Sequence, residues 1–501
     1  MNVKSPRQSR PQTPFFPPFA RLLFGRPPVC ALTQLAATLR HLRQASLSQI
    51  EEVFAAWIPP ELFPITPSGP NSRDRRFTQR VTFWAFLTQV LSPGCACREI
   101  LRKIQAAVAL RRNQTLSAAT SAYCQARVRL PVETLQTVHQ TVVDSLEKQA
   151  DQQQPWCGRP VVVVDGSSSS LPDTAANQKV FPQPGAQKPG CGFPVARIVV
   201  LFCLATGALQ RWVYGSLHIH ESRLFARLFS AISRGTVVLG DCGFCSFYSM
   251  ASLLSQGVDS VFRLHQARSK DFRQGKRLSA QERLVTWHKP RQRPAHVEQK
   301  QWDALPPTLS LRLVRYRVGV PGFRSQQIIL VTTLLDAQRY CAEALAQLFR
   351  RRWEIELSFR DIKVTLGMDI LRCKSPALVV KELWMHFIAY NLIRSLMVQA
   401  AQQQGVSLNS LSFKGTVDTL RHWAEVLDAV RGRPKRQEAL RDLMLAIIAQ
   451  DLLPHRPNRV EPRAKKRRPK NYLLLTKPRH QMRVPPHRNR PAKPAKPASL
   501  S

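Results

Sequence analysis

The feature that most constrains this chain is Val161–Val164, four valines in a row closed by Asp165-Gly166. An unbroken β-branched run favours extended backbone. With no polar alternation it belongs to a strand covered on both faces. Further apolar runs repeat the theme. Val195–Ala205 turns at Thr206-Gly207 into Leu209–Leu217, a hairpin partner. Glu221–Ser233 reads as a helix, Thr236–Leu239 as a short strand ending at Gly240-Asp241, Phe247–Ser255 as a helix, and Ser260–Leu264 as a strand. The order is β-β-β-α-β-α-β, which predicts an α/β fold. An acid stands just past the first strand (Asp165) and another just past the fourth (Asp241), each read at a strand end. Taken singly, a strand-end aspartate is as readily a turn residue as a functional one.

The flanking segments have a different texture. Residues 1–30 hold seven prolines, five Lys/Arg and no acid, and are expected to form a disordered basic arm. Residues 31–155 read as a helical N-terminal domain. Leu35-Leu39-Leu42 and Val81-Trp84-Phe86-Leu87 suggest amphipathic segments, with further helices at Arg98–Arg112 and Val132–Gln149. Arg73, Arg75, Arg76 and Arg80 give this domain a basic face, suited to DNA or simply to solvent. Residues 156–372 form the expected catalytic domain, with 266–335 as a β-rich insertion carrying strands at Ser310–Val318 and Gln327–Thr333. Residues 373–453 read as a helical C-terminal region: a long helix over Leu378–Gln402 begun by Ser375-Pro376, then helices near Ser412–Leu427 and Gln437–Leu452. The tail 454–501 has 15 Lys+Arg against Glu461 alone and is expected to be disordered and basic.

Charge narrows the partner. With 74 Lys+Arg against 32 Asp+Glu the net charge is +42, and such a chain is expected to meet a polyanion, nucleic acid first. The longest apolar run, Ile198–Ala205, is too short to span a bilayer, and Phe15–Phe24 is broken by Pro17, Pro18 and Arg21, so neither a membrane span nor a signal peptide is expected. That reading places the protein inside a cell. The eleven cysteines form no framework. Cys95 with Cys97, and Cys242 with Cys245, are read as thiols in a reducing compartment rather than as zinc ligands completed by His218 and His220.

The stretch Leu348–Leu366 carries the densest chemistry. It lacks Pro and Gly, and its apolar residues recur at helical spacing. At about 100° per residue, Phe349, Arg352, Glu356 and Lys363 share an arc about 60° wide. The apolar stripe of Leu348, Ile355, Phe359, Ile362 and Leu366 lies beside that arc, with Glu354 and Asp361 on the opposite side. Glu356 is thus expected at the border of the core, and Glu354 and Asp361 in water. A carboxylate flanked by cations suits a metal ion and a phosphate, although ordinary i,i+4 ion pairs give the same pattern. Asp165, Asp241 and Glu356 together are the set that metal-assisted phosphodiester chemistry needs.

At these residues the chain resembles the DDE transposases of the bacterial insertion-sequence-four family. That family is marked by tyrosine, arginine, glutamate and lysine separated by two, three and six residues. Here Phe349, Arg352, Glu356 and Lys363 keep all three spacings, with Phe349 in place of the tyrosine. Val164-Asp165-Gly166-Ser167 and Leu239-Gly240-Asp241-Cys242-Gly243-Phe244 resemble the blocks around the family's two catalytic aspartates. The resemblance implies a ribonuclease-H-like mixed sheet core with a β-rich insertion between the second aspartate and the glutamate. It implies that Asp165, Asp241 and Glu356 are the catalytic, metal-binding triad. It further implies that Phe349, Arg352 and Lys363 contact nucleic acid, Arg352 and Lys363 through phosphates at the transposon end.

The implied cofactor is Mg²⁺, two ions, with Mn²⁺ able to substitute. The implied partner is double-stranded DNA, both transposon ends and target, bound by a homodimer in the bacterial cytoplasm at the nucleoid. The implied reaction is cut-and-paste: water cleaves one strand, the freed 3′-hydroxyl attacks the other to form a hairpin, and the reopened 3′ ends join target DNA. Phe349 keeps ring stacking and loses the hydroxyl, so looser positioning of the end is expected. Trp287 and Trp302 of the insertion could stack on a flipped base or pack structurally. The rival readings are a ribonuclease-H-like nuclease without strand transfer and a DNA-binding protein whose catalysis has decayed. Ser167–Ser170 lacks the turn a serine nucleophile needs and reads as a loop.

Overall fold

The structure is a computed structural model, and it describes residues 50–64, 76–112, 117–151, 155–265, 267–268, 272–318, 326–454, 475–478 and 481–482. The expected basic arm, the Leu35-Leu39-Leu42 segment, Arg73, Arg75 and nearly all of the tail lie outside the described residues.

One sheet organises the described chain. Its strands are β1 (Val161–Ser170), β2 (Val195–Cys203), β3 (Leu209–Ser216), β4 (Val237–Gly240), β5 (Asp259–Arg263), β6 (Lys276–Arg277), β7 (Glu282–His288), β8 (Thr308–Val318) and β9 (Gln326–Thr332), in the spatial order β3-β2-β1-β4-β5-β9-β8-β7-β6. β1 runs parallel to β4, and β4 to β5; the remaining pairs are antiparallel. The β-rich part is therefore continuous with the central sheet, because β9 pairs directly with β5 (Val261↔Thr332, Arg263↔Leu330). Trp287 and Trp302 are buried in an apolar cluster, under the cations of Arg268 and Lys289 respectively.

β1 is longer than its composition suggests. Serines favour turns, yet Ser167–Ser170 stay extended because β2 pairs with them residue by residue, Ser167↔Ile198 to Ser170↔Val195. The loop after the 361–365 turn adds a bridge: Ser170 N–H donates to Asp369 O and Leu371 N–H to Ser170 O, both at 2.9 Å. Asp165 therefore lies in mid-strand with respect to β2, not at a strand end.

Alternation along the central strands divides the sheet into two faces. Val161, Val163, Val237, Leu239 and Val261 belong to one apolar cluster, and Val162, Val164, Val238 and Phe262 to another. The second face is covered by α7 (Glu221–Ala226) and α8 (Phe247–Ser255), and the first by helices from both ends of the chain. In chain order these are α1 (Glu51–Phe54), α2 (Gln79–Leu91) and α5 (Val132–Asp151), with α3 (Cys97–Arg112) and α4 (Ser121–Arg129) packed in a separate small cluster beside α2, then α10 (Ala342–Arg351), α11 (Trp353–Arg360), α12 (Pro376–Gln404), α13 (Phe413–Ala429) and α14 (Pro434–Gln450). Two short helices, α6 (Ala175–Val180) and α9 (Gln299–Asp303), lie in connections.

α12 is the axis of the first face. It begins with Pro at its first turn, ends at Gly405 (φ +64°) and is buried nearly all round. A helix with no solvent face must satisfy its polar side chains internally. Asn391 exchanges two 2.9 Å bonds with the backbone of Leu209, Tyr390 donates to Gly207 O at 2.8 Å, and Arg394 donates to Thr206 O. These bonds fasten α12 to the β2–β3 turn. No described helix is long and apolar enough to cross a membrane.

Two helical expectations change. The helix read over Glu221–Ser233 stops at Ala226 and continues as an irregular turn with a 3₁₀ segment at Phe229–Ala231. The stretch Leu348–Leu366 is not one straight helix. It breaks between α10 and α11 at Arg352 and ends in a π-helical turn over Asp361–Thr365.

Candidate functional site

The register of the sheet sets the site. Val161 pairs with Val237 and Val163 with Leu239. Continuing that parallel register two residues brings Asp241 beside Asp165, at the inter-strand spacing of about 4.8 Å. Both follow residues of the α12 face by an even number of positions, so both side chains point to that face. Gly240 allows the strands to close here. A Cβ on it would lie 2.8 Å from Val164 Cγ1 and 2.9 Å from Phe262 Cε1.

α11 lies against β1 on the same face. Ile355 and Phe359 anchor it, Phe359 meeting Phe202 of β2 edge-on at 5.4 Å. This leaves Glu356 at the outer edge, with its side chain 43% exposed, and Arg352 Nη2 donates to its Oε1 at 3.2 Å. Arg352 itself is buried, its guanidinium 5.6 Å from the Phe349 ring centroid and 5.4 Å from that of Trp353.

Asp165 feels this assembly. Burial pushes its carboxyl up to about 6; the Gly166 N–H, donating at 2.8 Å, and the Arg352 charge oppose the rise, while the Glu356 and Glu221 charges add to it. Asp165, Arg352 and Glu356 are thus within electrostatic reach of one another. Oδ1 of Asp241 is buried with no partner among the described residues. A crowded set of oxygen donors, one held near neutrality and one orphaned, is the chemistry that a hard divalent cation relieves. The three acids do not make a ready cage, however. Among the described residues no group of three His, Cys, Asp or Glu is close enough to hold a metal.

The remaining sequence candidates are placed as follows. Phe349 is 3% exposed and sits in the main core, so it does not share an exposed arc with Arg352 and Glu356. Arg352 lies over the Phe349 ring and pairs with Glu356, so Phe349 is under the arginine and Glu356 outside it. Lys363 is half-buried in the π-turn. That turn also carries Asp361 inward, against the expectation that it faces water. Burial raises its carboxyl to about 6, opposed by Arg360 and Arg394. Glu356, expected at the core border, is the more exposed of the two.

Two neighbours were not singled out from the sequence. Glu221, the first residue of α7, reaches over Gly166, where a Cβ would lie 2.6 Å from its Cδ. Arg263 ends β5 one step beyond the Gly240↔Phe262 pair, beside Asp241. For Arg263 a signal was available, since it ends the apolar run Val261-Phe262 of β5; for Glu221 none was.

Comparison with known proteins gives the family. Residues 156–392 match the family model described as transposase DDE domain. The chain is 28% identical over 411 residues to the transposase InsG for insertion sequence element IS4 of Escherichia coli (strain K12), covering 81% of this chain and 89% of that protein. It is 36% identical over 102 residues to a probable transposase for insertion sequence element IS5377 of Geobacillus stearothermophilus, 20% of this chain and 26% of that one. A solved structure of the piggyBac transposase synaptic complex with hairpin DNA overlays with a TM-score of 0.40 and 10% identity, over 81% and 87% of the two chains, a level that does not establish a shared fold. On the family match and the near full-length relative, the chain is a DDE transposase of the insertion-sequence-four type.

Proposed function

We propose that this transposase cuts an insertion-sequence element at its ends and joins the 3′ ends to target DNA, cut-and-paste, by way of hairpin ends. The observation that carries the reading is the β1–β4 register, which carried on by two residues sets Asp241 beside Asp165, together with the Arg352–Glu356 pair whose charges act on the Asp165 carboxyl. The strand order β3-β2-β1-β4-β5, in which β2 alone runs against the others, supports a ribonuclease-H-like core. We divide the chain as its texture suggests: helical N-terminal DNA-binding domain (31–155), catalytic domain (156–372) containing the β-rich part (266–335), and helical C-terminal region (373–453), flanked by basic tails.

Asp165, Asp241 and Glu356 would hold two Mg²⁺, or Mn²⁺ in their place. When bound, such ions make the attacking water or 3′-hydroxyl more nucleophilic and stabilise the leaving oxygen. The rest falls to side chains. Arg352 orients Glu356 and offers its remaining N–H groups to a phosphate; its Nε is buried without a partner. Lys363 adds a second cation about two turns beyond Glu356. Phe349, in the core, supports Arg352 from beneath and does not contact DNA. The homodimer pairs the two ends in the bacterial cytoplasm, at the nucleoid. The tails 1–30 and 454–501 bind duplex without sequence preference, so deleting both flattens the dependence of affinity on salt. An unchanged slope removes them from DNA binding.

The test is cleavage of a labelled duplex carrying the element's own end, with Mg²⁺ or Mn²⁺, by wild type and Glu356→Ala. A cut at the end in wild type only, with binding kept in both, and joined products on adding target DNA, is the expected result. Cutting without joining favours a plain nuclease, and binding without cutting in both favours a decayed binder.

A further inference from the structure

β1 runs on past its aspartate. β4 pairs with it only over Val161–Val163 and ends at Gly240, so beyond Asp165 one edge of β1 has no strand beside it among the described residues. At Ser170 that edge is taken by Ile370, from the loop after the turn at Asp361–Thr365, and the other edge by Val195 of β2. Ser170 lies five residues from Asp165, about 17 Å at the rise of a strand.

Two large apolar side chains stand in solvent at this end. Ile370 is 64% exposed, and Phe193, two residues before Val195, is 54% exposed. One such residue alone is ordinary on a surface. Here both are carried on fixed backbone. Ile370 is pinned by the two bonds of its neighbours to Ser170. Phe193 lies between Gly192, whose carbonyl accepts from Gln178 Nε2 at 3.0 Å, and Pro194, whose carbonyl accepts from Leu171 N–H at 2.9 Å. Gln183 closes the loop behind Phe193 with its whole side-chain amide. Its Oε1 accepts from the N–H groups of Gly190 and Gly192 at 3.0 Å, and its Nε2 donates to Gln187 O at 3.0 Å and Lys188 O at 2.9 Å. Lys188 and Lys374, on the same two loops, are exposed. Rigidly held apolar side chains rimmed by cations match DNA, the apolar groups entering between bases and the cations meeting phosphates.

Resting on the transposition reading above, we propose that Phe193 and Ile370 form a wedge that opens one base step of the DNA lying along β1, with Lys188 and Lys374 on the adjacent phosphates. Successive nucleotides of a duplex strand are about 3.4 Å apart, so the opened step lies within about five nucleotides of the scissile phosphate.

The experiment places 2-aminopurine at each successive position on both sides of the cut in end duplexes and, in a second arm, along a target duplex. It reads fluorescence and affinity with wild type, Phe193→Ala and Ile370→Ala. Both side chains are exposed, so both variants should melt as wild type does. With wild type, one position near the cut should brighten as its stacking is lost. With either variant that position should stay dark and affinity should fall about tenfold, the size of one stacked base. Brightening in the end duplexes assigns the wedge to the element's end or its flank, and brightening in the second arm alone assigns it to target DNA. A probe that brightens nowhere, or brightens equally with the variants, overturns the proposal, as do variants that bind like wild type. If wild type binds the end without cutting it, the transposition reading fails, and the fluorescence of the bound duplex still decides for or against the wedge.

Discussion

Asp165→Asn should stabilise the metal-free protein while abolishing its chemistry. The Asp165 carboxyl stands at about 6 instead of its ordinary 3.8, and the first cause is burial. At about 1.4 kcal/mol for each pH unit, keeping it ionised in the folded state costs about 3 kcal/mol at neutral pH. The sign follows from proton binding. Between about pH 4 and pH 6 the folded state holds a proton that the unfolded state has lost. Stability from this group is therefore full below pH 4 and falls as pH rises through 6. Asparagine keeps the acceptor for the Gly166 N–H at 2.8 Å and carries no charge. At pH 7.5 in EDTA, Asp165→Asn should gain about 1–3 kcal/mol and melt a few degrees higher than wild type. Asp361 also stands at about 6, so the wild-type slope over this range belongs to both groups and the difference between the two proteins to Asp165. Adding Mg²⁺ should raise the wild-type melting temperature and leave that of the variant nearly unchanged. The assay is thermal unfolding followed by fluorescence across pH 4–8, with and without Mg²⁺. A variant that melts below wild type in EDTA at pH 7.5 would refute the reasoning, because the carboxylate would then be a stabilising group.

Three further substitutions test the supports of the site. Gly240→Ala puts a Cβ within 2.9 Å of Val164 and Phe262, and should cost about 1–3 kcal/mol, spread β4 from β1 and slow cleavage; an unaltered melting temperature and rate would show that the strand end has room. Glu382→Ala removes the buried carboxylate that accepts from the N–H groups of Arg372 (3.0 Å) and Cys373 (2.9 Å), and should cost about 2–3 kcal/mol, measured by urea unfolding; a loss under about 0.5 kcal/mol would mean the loop beside Ser170 holds itself. In Arg352→Lys the ion pair to the well-exposed Glu356 contributes under about 1 kcal/mol, yet a lysine cannot reproduce a guanidinium lying between two rings. Cleavage should fall about 10- to 100-fold with little change in melting temperature, and equal activity would remove Arg352 from the positioning of Glu356.

The sheet was legible where residue chemistry alone decides it. Val161–Val164, Ile198–Cys203 and Val237–Leu239 are β-branched or apolar through their length, and no helix competes for them. The features that neighbours impose were not legible. Ser167–Ser170 are strand because β2 and the Asp369–Leu371 loop supply partners for their backbone. The helical spacing of Leu224, Phe225, Leu228, Phe229 and Ile232 promises one helix, but these residues satisfy the core equally well from an irregular turn. The direct pairing of β9 with β5 joins segments more than sixty residues apart, and no local pattern reports such a pairing.

Phe349, read from the sequence as a departure that loosens grip on the transposon end, takes a different meaning from its burial. A straight helix over Leu348–Leu366 sets Phe349 beside Arg352 and Glu356, where a lost hydroxyl would be a lost phosphate contact. In the structure position 349 lies in the core at 3% exposure with Arg352 buried beside it, and Glu356 alone is well exposed. A hydroxyl there would be a polar atom with an apolar surround, so phenylalanine is the residue the packing favours. Phe349→Tyr should consequently bring no gain in cleavage and a loss of about 1 kcal/mol or more in stability. A variant that cuts faster than wild type at equal stability would return position 349 to the DNA.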